Sequence, residues 1–185
     1  MHVDPRLVSV ARERARAQGF DRSCLDEVGR LLALLASHIH DGKILEIGAG
    51  MGVGTAWLAS AARVEVYTVD DNPERASHVA SLFRDHPQVH VVTGDWTDAL
   101  IHGPFRLIFA DAKPAKTSGA EAVIAAAAPG GLIVLDDLSP EEYWPEAWKG
   151  KPDPIREFWL NHPLLFSTEI LTSREHSTIL ACRAV

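Results

Sequence analysis

A glycine-rich run with an acid in front of it is the first feature of the sequence that could bind a ligand. Gly48-Ala49-Gly50 and Gly52 give the spacing GxGxG, and Glu46 stands two residues before the first glycine. Glycine lets the backbone approach a ligand that any Cβ would exclude. Dinucleotide-binding turns have the spacing GxGxxG and hold a pyrophosphate at a helix N-terminus. A carboxylate at Glu46 suits instead a cofactor with an ammonium group, and a glycine turn without a ligand is the alternative.

Acidic residues also end the second predicted strand, about 20 residues after the glycine run. An acid at this point of an open parallel sheet can accept hydrogen bonds from both hydroxyls of a ribose. Asp70 is the predicted ribose ligand, and Asp71 beside it is a second candidate for the cofactor site. Helix capping is the alternative role, because Asp71 and Asn72 precede Pro73 and both residue types are strong N-caps.

The end of the third predicted strand carries a further acid and an aromatic ring, in Gly94-Asp95-Trp96. Asp95 is predicted to accept a hydrogen bond from an adenine amino group, and the Trp96 ring to stack on the base. Gly94, Asp95 and Trp96 are therefore predicted to border a nucleoside. Packing in the hydrophobic core is an equally strong alternative for Trp96.

Three more aspartates follow the fourth and fifth predicted strands. Asp111 ends the fourth strand, Asp136 ends the fifth, and Asp137 follows it. Neighbouring strands of a parallel sheet end at the same edge, so the three carboxylates are expected to converge near the glycine run. Carboxylate oxygens are the ligands of hard cations, and the set predicts a Mg²⁺ or Ca²⁺ site. Consecutive aspartates also form turns and caps, which is the alternative.

These residues are positioned by an alternation of short β-branched runs with helical stretches. The alternation predicts a parallel sheet with helices on both faces. The last two strands are joined by only five residues, too few for a parallel crossover, so they predict an antiparallel hairpin. The predicted strands are 43–47, 64–69, 89–93, 105–110, 132–135, 164–171 and 177–184, and the predicted helices are 5–18, 23–40, 52–61, 73–84, 118–128 and 154–161.

Composition bounds the class of protein. The 185 residues with net charge -7 predict one domain over 1–185, with a helical cap over 1–41 and a Rossmann-like core over 42–185. The acidic balance argues against nucleic acid as a partner. No apolar run is long enough for a membrane span, and the first residues lack a signal-peptide pattern. The two cysteines show no metal-binding spacing, and a cytoplasmic location is expected.

The run from Leu45 to Gly52, then Val69-Asp70, then Gly94-Asp95, resembles class I S-adenosylmethionine-dependent methyltransferases. More narrowly, the chain resembles the O-methyltransferase family that includes the catechol and caffeoyl-CoA enzymes. The narrower resemblance is carried by 105–113, 130–137 and Ile155-Arg156-Glu157-Phe158. It implies a seven-stranded, mostly parallel Rossmann-like sheet with an antiparallel C-terminal hairpin. It also implies methyl transfer from S-adenosylmethionine to a hydroxyl of a small molecule.

The resemblance further implies a metal site and a base, and the sequence departs from the family at both. The family's metal ligands are Asp, Asp and Asn, matched here by Asp111, Asp136 and Asp137, so Asp111 is expected to act in catalysis and the third ligand is more anionic. The catechol branch has a lysine three residues after the first metal aspartate, where this chain has Pro114. Lys113 is the candidate for base or substrate contact, and a solvated loop lysine is the alternative.

The sequence leaves alternatives open for the segment after the fifth strand, for the N-terminal helices and for the function. Tyr143, Trp144 and Trp148 stand among four prolines after the fifth strand, where they form either an apolar wall for a flat substrate or a packed loop. The N-terminal helices are expected to cover the cofactor or to make a homodimer contact. A nicotinamide oxidoreductase is disfavoured by GxGxG and by the hairpin. A metal-independent N- or O-methyltransferase and a non-catalytic S-adenosylmethionine-binding protein remain as alternatives.

Overall fold

Seven strands form one mixed sheet in the computed structural model, which describes residues 4–185. Residues 1–3 of the predicted helical cap lie outside the described residues. The spatial order is β3-β2-β1-β4-β5-β7-β6, in which neighbours from β3 through β5 are parallel and β7 is antiparallel to β5 and β6. This confirms the predicted fold class. The strands are β1 (Lys43–Ile47), β2 (Glu65–Asp70), β3 (Val89–Thr93), β4 (Phe105–Ala110), β5 (Ala127–Leu138), β6 (Leu165–Leu171) and β7 (Ser177–Arg183).

The helices surround this sheet. Asn72, one of the two residues predicted to cap, is the N-cap of the fourth helix and accepts hydrogen bonds from two backbone N–H groups. Within residues 4–185, no helix combines the length and the hydrophobicity that crossing a bilayer requires. The α-helices are α1 (Arg6–Ala17), α2 (Asp26–Ser37), α3 (Val53–Ala61), α4 (Pro73–Leu82), α5 (Lys113–Lys116), α6 (Ala120–Ala126) and α7 (Pro154–Asn161), with 3-10 turns at Trp96–His102 and Glu141–Tyr143.

The structure differs from the sequence prediction at α5 and at β5. The sequence predicts no helix at α5, because four residues are too few to show a helical period. Strand β5 is longer than the predicted 132–135 at both ends. Ala127 pairs with Phe105 of β4, and Leu138 pairs with Ser177 of β7, with a register shift near each of these pairs. Pairing with β4 thus extends the strand back across a Pro-Gly-Gly sequence that by itself predicts a turn, and pairing with β7 extends its carboxyl end.

The order of the strands places a crevice at the centre of the sheet. The chain builds β1, β2 and β3 outward in one direction, and then returns to build β4 and β5 on the other side of β1. Open parallel sheets bind ligands beyond the carboxyl ends of their strands at such a reversal. Side chains within the strands are buried on both faces, as Ile44, Leu45 and Ile47 are in β1. The residues that follow the strand ends are therefore the ones available to a ligand.

The N-terminal helices are fixed to the sheet through α3. Gly29 of α2 lies directly against the indole of Trp57 in α3, where an added Cβ would come within 2.1 Å of Nε1. Arg12 of α1 lies over the same ring, 5.6 Å from its centroid, and forms salt bridges with Asp4 and Asp26. This packing determines where the connection between α1 and α2 crosses the crevice.

Substitution Gly29→Val tests this packing. The new side chain overlaps the buried indole of Trp57, and overpacking of this kind lowers the free energy of unfolding by about 2–3 kcal/mol. Urea denaturation followed by circular dichroism measures the change. The control is Leu34→Ala on the same helix, where the side chain is 57% exposed; it is expected to change stability by less than about 0.5 kcal/mol. Equal stability of the two variants would contradict the close contact.

Candidate functional site

A cleft of about 520 Å³ lies at the carboxyl ends of the central strands. Its size is within the range of small-molecule and cofactor sites. The glycine turn, the residues that follow β2, β3, β4 and β5, and residues 20–25 from the connection between α1 and α2 all line it. The predicted site residues that border the cleft are Gly48, Gly50, Asp70, Asp71, Gly94, Asp95, Trp96, Asp111, Asp136 and Asp137.

The glycine turn is held in a conformation that its glycines permit. Gly48 and Gly50 have φ of 102° and 53°, and a Cβ on Gly48 would come within 3.4 Å of the Ala112 backbone. The N–H groups of Gly48 and Ala49 donate to Val69 O at 2.9 and 3.0 Å. Gly52, also predicted for the site, is the N-cap of α3 and faces apolar side chains of α4 rather than the cleft. The turn therefore presents bare backbone to the cleft at Gly48 and Gly50.

Glu46 lies beneath this turn rather than in the open cleft. Its side chain is buried, and Oε2 accepts hydrogen bonds from the hydroxyls of Thr55 and Thr68. Oε1 lies only 2.2 Å from the position that a Cβ on Gly54 would occupy. Burial raises the pKa of Glu46 to about 7, although the two hydroxyls act in the opposite direction. The carboxyl group thus ties β1 to β2 and α3, and it borders only a small cavity of about 20 Å³ under the turn.

Asp70 connects the glycine turn to the end of β2. Its side chain is almost fully buried, and Oδ2 accepts a hydrogen bond from Gly50 N at 2.8 Å while Oδ1 accepts one from Asn72 N at 3.0 Å. Each carboxylate oxygen has a second lone pair that can accept another donor, although the guanidinium of Arg75 already lies 3.6 Å from Oδ1. Asp71 is exposed on the rim. The structure therefore gives capping to Asn72 and leaves Asp70 facing the cleft.

The third strand places Asp95 and Trp96 on the opposite wall. Asp95 is the N-cap of the following 3-10 turn, and hydrogen bonds from the Thr97 hydroxyl and backbone N–H lower its pKa. Trp96 is half-buried and lines the cleft, while its ring edge packs against Gly119 and the apolar cluster under the sheet. The position of Trp96 is thus compatible both with stacking on a base and with packing in the hydrophobic core.

The aspartate that follows β4 and the two near the carboxyl end of β5 converge. One carboxylate oxygen from each of Asp111, Asp136 and Asp137 lies within 4.8 Å of the other two. Burial raises the pKa of Asp111, and the charge of Asp137 adds to this effect; burial also raises the pKa of Asp136. Asp137 is exposed and has φ of 61°, the one non-glycine residue of 4–185 with positive φ. Convergence of acids that hinder each other's ionisation is the arrangement that a cation would stabilise.

A buried lysine for which the sequence predicts no role lies beside this cluster. Lys116 donates from Nζ to Asp136 O at 2.9 Å and lies 3.4 Å from Asp137 Oδ2. Lys113, the predicted base, is exposed on α5 and does not line the cleft. The short helix explains the difference, because its turn directs Lys116 toward the core, where Trp159 Nε1 donates to Lys116 O. His176 of the hairpin turn also lines the cleft, and no sequence spacing indicated it.

The charge of the cleft is strongly negative. The basic side chains that line it are Arg22, Arg75 and His176. The acidic side chains that line it are Asp21, Asp70, Asp71, Asp95, Asp111, Asp136 and Asp137. Burial opposes the ionisation of two of them, Asp111 and Asp136. Such a wall attracts a cationic ligand and repels a pyrophosphate.

A second cavity adjoins the cleft at Asp137, which lines both. We call it the aromatic pocket; it measures about 470 Å³ and lies between residues 137–145, Trp148 and residues 151–156. Its walls are mainly apolar and include Tyr143, Trp144 and Trp148. The structure thus brings the aromatic segment noted in the sequence beside the acidic cluster.

Comparison with known proteins gives matches along the same part of the chain. Residues 45–138 match the family described as methyltransferase domain. The catechol O-methyltransferase of Niastella koreensis is 34% identical over 150 residues, which are 74% of this chain and 67% of that protein. The catechol O-methyltransferase of Mycobacterium tuberculosis is 35% identical over 120 residues, which are 60% of this chain and 54% of that protein. The matched region therefore spans about half the length of the latter relative.

Solved structures match nearly the whole chain. The O-methyltransferase from Bacillus cereus, in complex with SAH, has a TM-score of 0.81 at 23% identity and covers 99% of this chain and 93% of that one. The O-methyltransferase TomG from Streptomyces achromogenes, in complex with SAM, has a TM-score of 0.82 at 23% identity and covers 99% of this chain and 92% of that one. At these identities the likeness establishes a shared fold.

The buried carboxyl group of Glu46 predicts a dependence of stability on pH. Its pKa is about 7 in the folded protein and 4.5 in a free side chain, so the folded state holds a proton that the unfolded chain releases. Stability is therefore lost as the pH rises from about 4.5 through 7. Glu46→Gln keeps an acceptor for both threonines and is expected to remove about 3 kcal/mol of this loss.

Urea denaturation of Glu46→Gln and the unaltered chain between pH 5 and 8 measures this effect. Asp111 contributes a slope of the same sign, since its pKa is also raised, so the slope is expected to decrease rather than vanish. Glu13→Gln, on the exposed side of α1, is the control and is expected to keep the full slope. An unchanged slope in Glu46→Gln would contradict the burial of an ionisable carboxyl group there.

Proposed function

The chain belongs to the methyltransferase family, and from that premise we propose that it transfers a methyl group from S-adenosylmethionine to a hydroxyl group of a small-molecule acceptor. The observation that carries the proposal is the acidic cleft built on a glycine turn. S-adenosylmethionine carries a sulfonium, an ammonium and a carboxylate group and is positive overall, and the acidic side chains around the cleft favour a ligand of this charge. A nicotinamide dinucleotide, whose pyrophosphate is anionic, is disfavoured at the same wall.

The residues of the cleft suit this cofactor part by part. Gly48 and Gly50 have positive φ and leave bare backbone on the wall of the cleft, which suits the amino-acid tail. Asp70 has free lone pairs for the two ribose hydroxyls. Asp95 and the ring of Trp96 suit the amino group and the face of adenine. When bound, S-adenosylmethionine supplies an electrophilic methyl group, and the task of these side chains is to orient it toward the acceptor.

We also propose that Asp111, Asp136 and Asp137 hold a divalent cation. The donor set suits a hard cation, since three carboxylate oxygens lie within 4.8 Å of one another. A bound Mg²⁺ or Ca²⁺ would lower the pKa of the acceptor hydroxyl. The ammonium of Lys116 favours a metal-independent reaction as the second candidate, because it already neutralises part of the cluster.

The cofactor site is tested by binding of S-adenosylhomocysteine, measured by isothermal titration calorimetry. Asp70→Ala removes the acceptor of the Gly50 N–H as well as the proposed ribose ligand, and it is expected to weaken binding by at least about tenfold. Asp85→Asn is the control, because Asp85 is exposed and does not line the cleft. Absence of binding by the unaltered chain would refute the cofactor assignment.

The metal site is tested by titration with MgCl₂ and with CaCl₂. We expect binding by the unaltered chain and a loss of at least about tenfold in Asp136→Asn, which removes one charged ligand. Asp21→Asn, in the same cleft but outside the cluster, is expected to bind as before. Absence of a binding signal from the unaltered chain in both titrations would contradict the metal site and leave the metal-independent reaction as the candidate. Transfer of labelled methyl groups to a panel of catechols, with and without EDTA, then separates the two candidates.

A further inference from the structure

The walls of the aromatic pocket are fixed before any ligand enters. Trp144 donates from Nε1 to Ser139 O at 2.8 Å, and the guanidinium of Arg156 lies 5.3 Å from the centroid of its ring. Tyr143 accepts a hydrogen bond on its hydroxyl from Arg174 Nε at 3.0 Å. These contacts hold two aromatic side chains in place, so a ligand would not have to order them.

Trp148 completes the pocket without a partner of its own. Its side chain is 63% exposed, although the backbone that carries it is tied down by the hydrogen bond from Trp148 N to Pro145 O at 2.8 Å. An exposed indole in a concave apolar surface marks a binding site more often than a random surface position. A flat ring would stack on it and cover the apolar wall.

Among residues 4–185, one cationic side chain of the pocket forms no salt bridge. Arg156 lines the pocket but is engaged by Asp153 and Glu169. Lys149 points elsewhere and pairs with Glu146 at 3.1 Å. Lys151 lines the pocket, is exposed, and takes part in no salt bridge with residues 4–185. A negatively charged group on the ligand therefore has one place to bind.

The end of the pocket that adjoins the cofactor cleft is acidic. Asp137 lines both the pocket and the cofactor cleft, and Asp111 and Asp136 lie next to it. A carboxylate on the ligand is repelled from this end and attracted to Lys151. The same polarity directs a hydroxyl group, which can donate a hydrogen bond to a carboxylate, toward Asp137 and the cofactor.

On the basis of the proposed function, we infer that the aromatic pocket binds the acceptor, and that the acceptor is a flat aromatic acid. Its ring stacks on Trp148, its carboxylate pairs with Lys151, and its hydroxyl lies beside Asp137 at the entrance to the cofactor cleft. Lys151 is then the residue that selects an acid over a neutral ring of the same shape.

The test compares two probes of equal shape, 3,4-dihydroxybenzoate and 3,4-dihydroxybenzamide, titrated calorimetrically into the chain saturated with S-adenosylhomocysteine. The unaltered chain is expected to bind the acid about fivefold more tightly than the amide. Lys151→Met is expected to abolish this preference by weakening the acid alone. Trp148→Ala is expected to weaken both probes by about tenfold, because stacking does not depend on the charge.

Lys149→Met is the matched control, since it removes a neighbouring lysine that does not line the pocket, and it is expected to keep the preference. Equal binding of acid and amide by the unaltered chain, a preference that survives in Lys151→Met, or failure to bind either probe at millimolar concentration would overturn the inference. Binding of S-adenosylhomocysteine is measured first in every variant. Its absence counts against the proposed function, whereas its presence without a difference between the probes counts against the pocket alone.

Discussion

Burial of carboxyl groups that meet at one edge of one sheet, together with their mutual repulsion, is the constraint that shapes this site. Parallel strands end at the same edge, and five strands of this chain have an acid within two residues of that end. Three features of the structure accommodate these acids. Backbone N–H groups stabilise Asp70, burial favours the protonated forms of Glu46 and Asp111, and the ammonium of Lys116 lies beside Asp137. The charge that remains is what a cationic ligand would complement.

Much of this arrangement could be predicted from the sequence, because strand ends are readable from β-branched runs and topology then brings them together. The convergence of Asp111, Asp136 and Asp137 needed only that rule. The direction of single side chains was not predictable. Lys116 enters the core, and Lys113 does not, because of a one-turn helix too short to leave a periodic pattern. Glu46 lies under the glycine turn because two threonines distant in sequence bind it there.

The two cavities divide the work of the proposed reaction. The cofactor cleft is built mostly from residues at the ends of rigid strands, whereas the aromatic pocket is built from a connection that follows β5. In the proposed reaction, the ends of the strands thus provide the polar contacts, which need accurate geometry, and the loop provides the surface that recognises the shape of the acceptor. Asp137, which has a left-handed backbone conformation, lies at the boundary between the sheet and this loop.

Arg156 gives that loop an unusual mechanical property. Its guanidinium donates to Ser139 O at the start of the connection and pairs with Asp153 at its end. About 15 residues therefore form a closed loop, and the conformational entropy of closing this loop is lost on folding and not on ligand binding. A ring of this kind does not swing open as a hinged flap does. The opposite boundary of the cofactor cleft includes residues 20–25 between α1 and α2, which have no regular secondary structure. The two sides of the cleft therefore differ in construction, because one is a loop closed by an ion pair and the other is an extended connection between two helices.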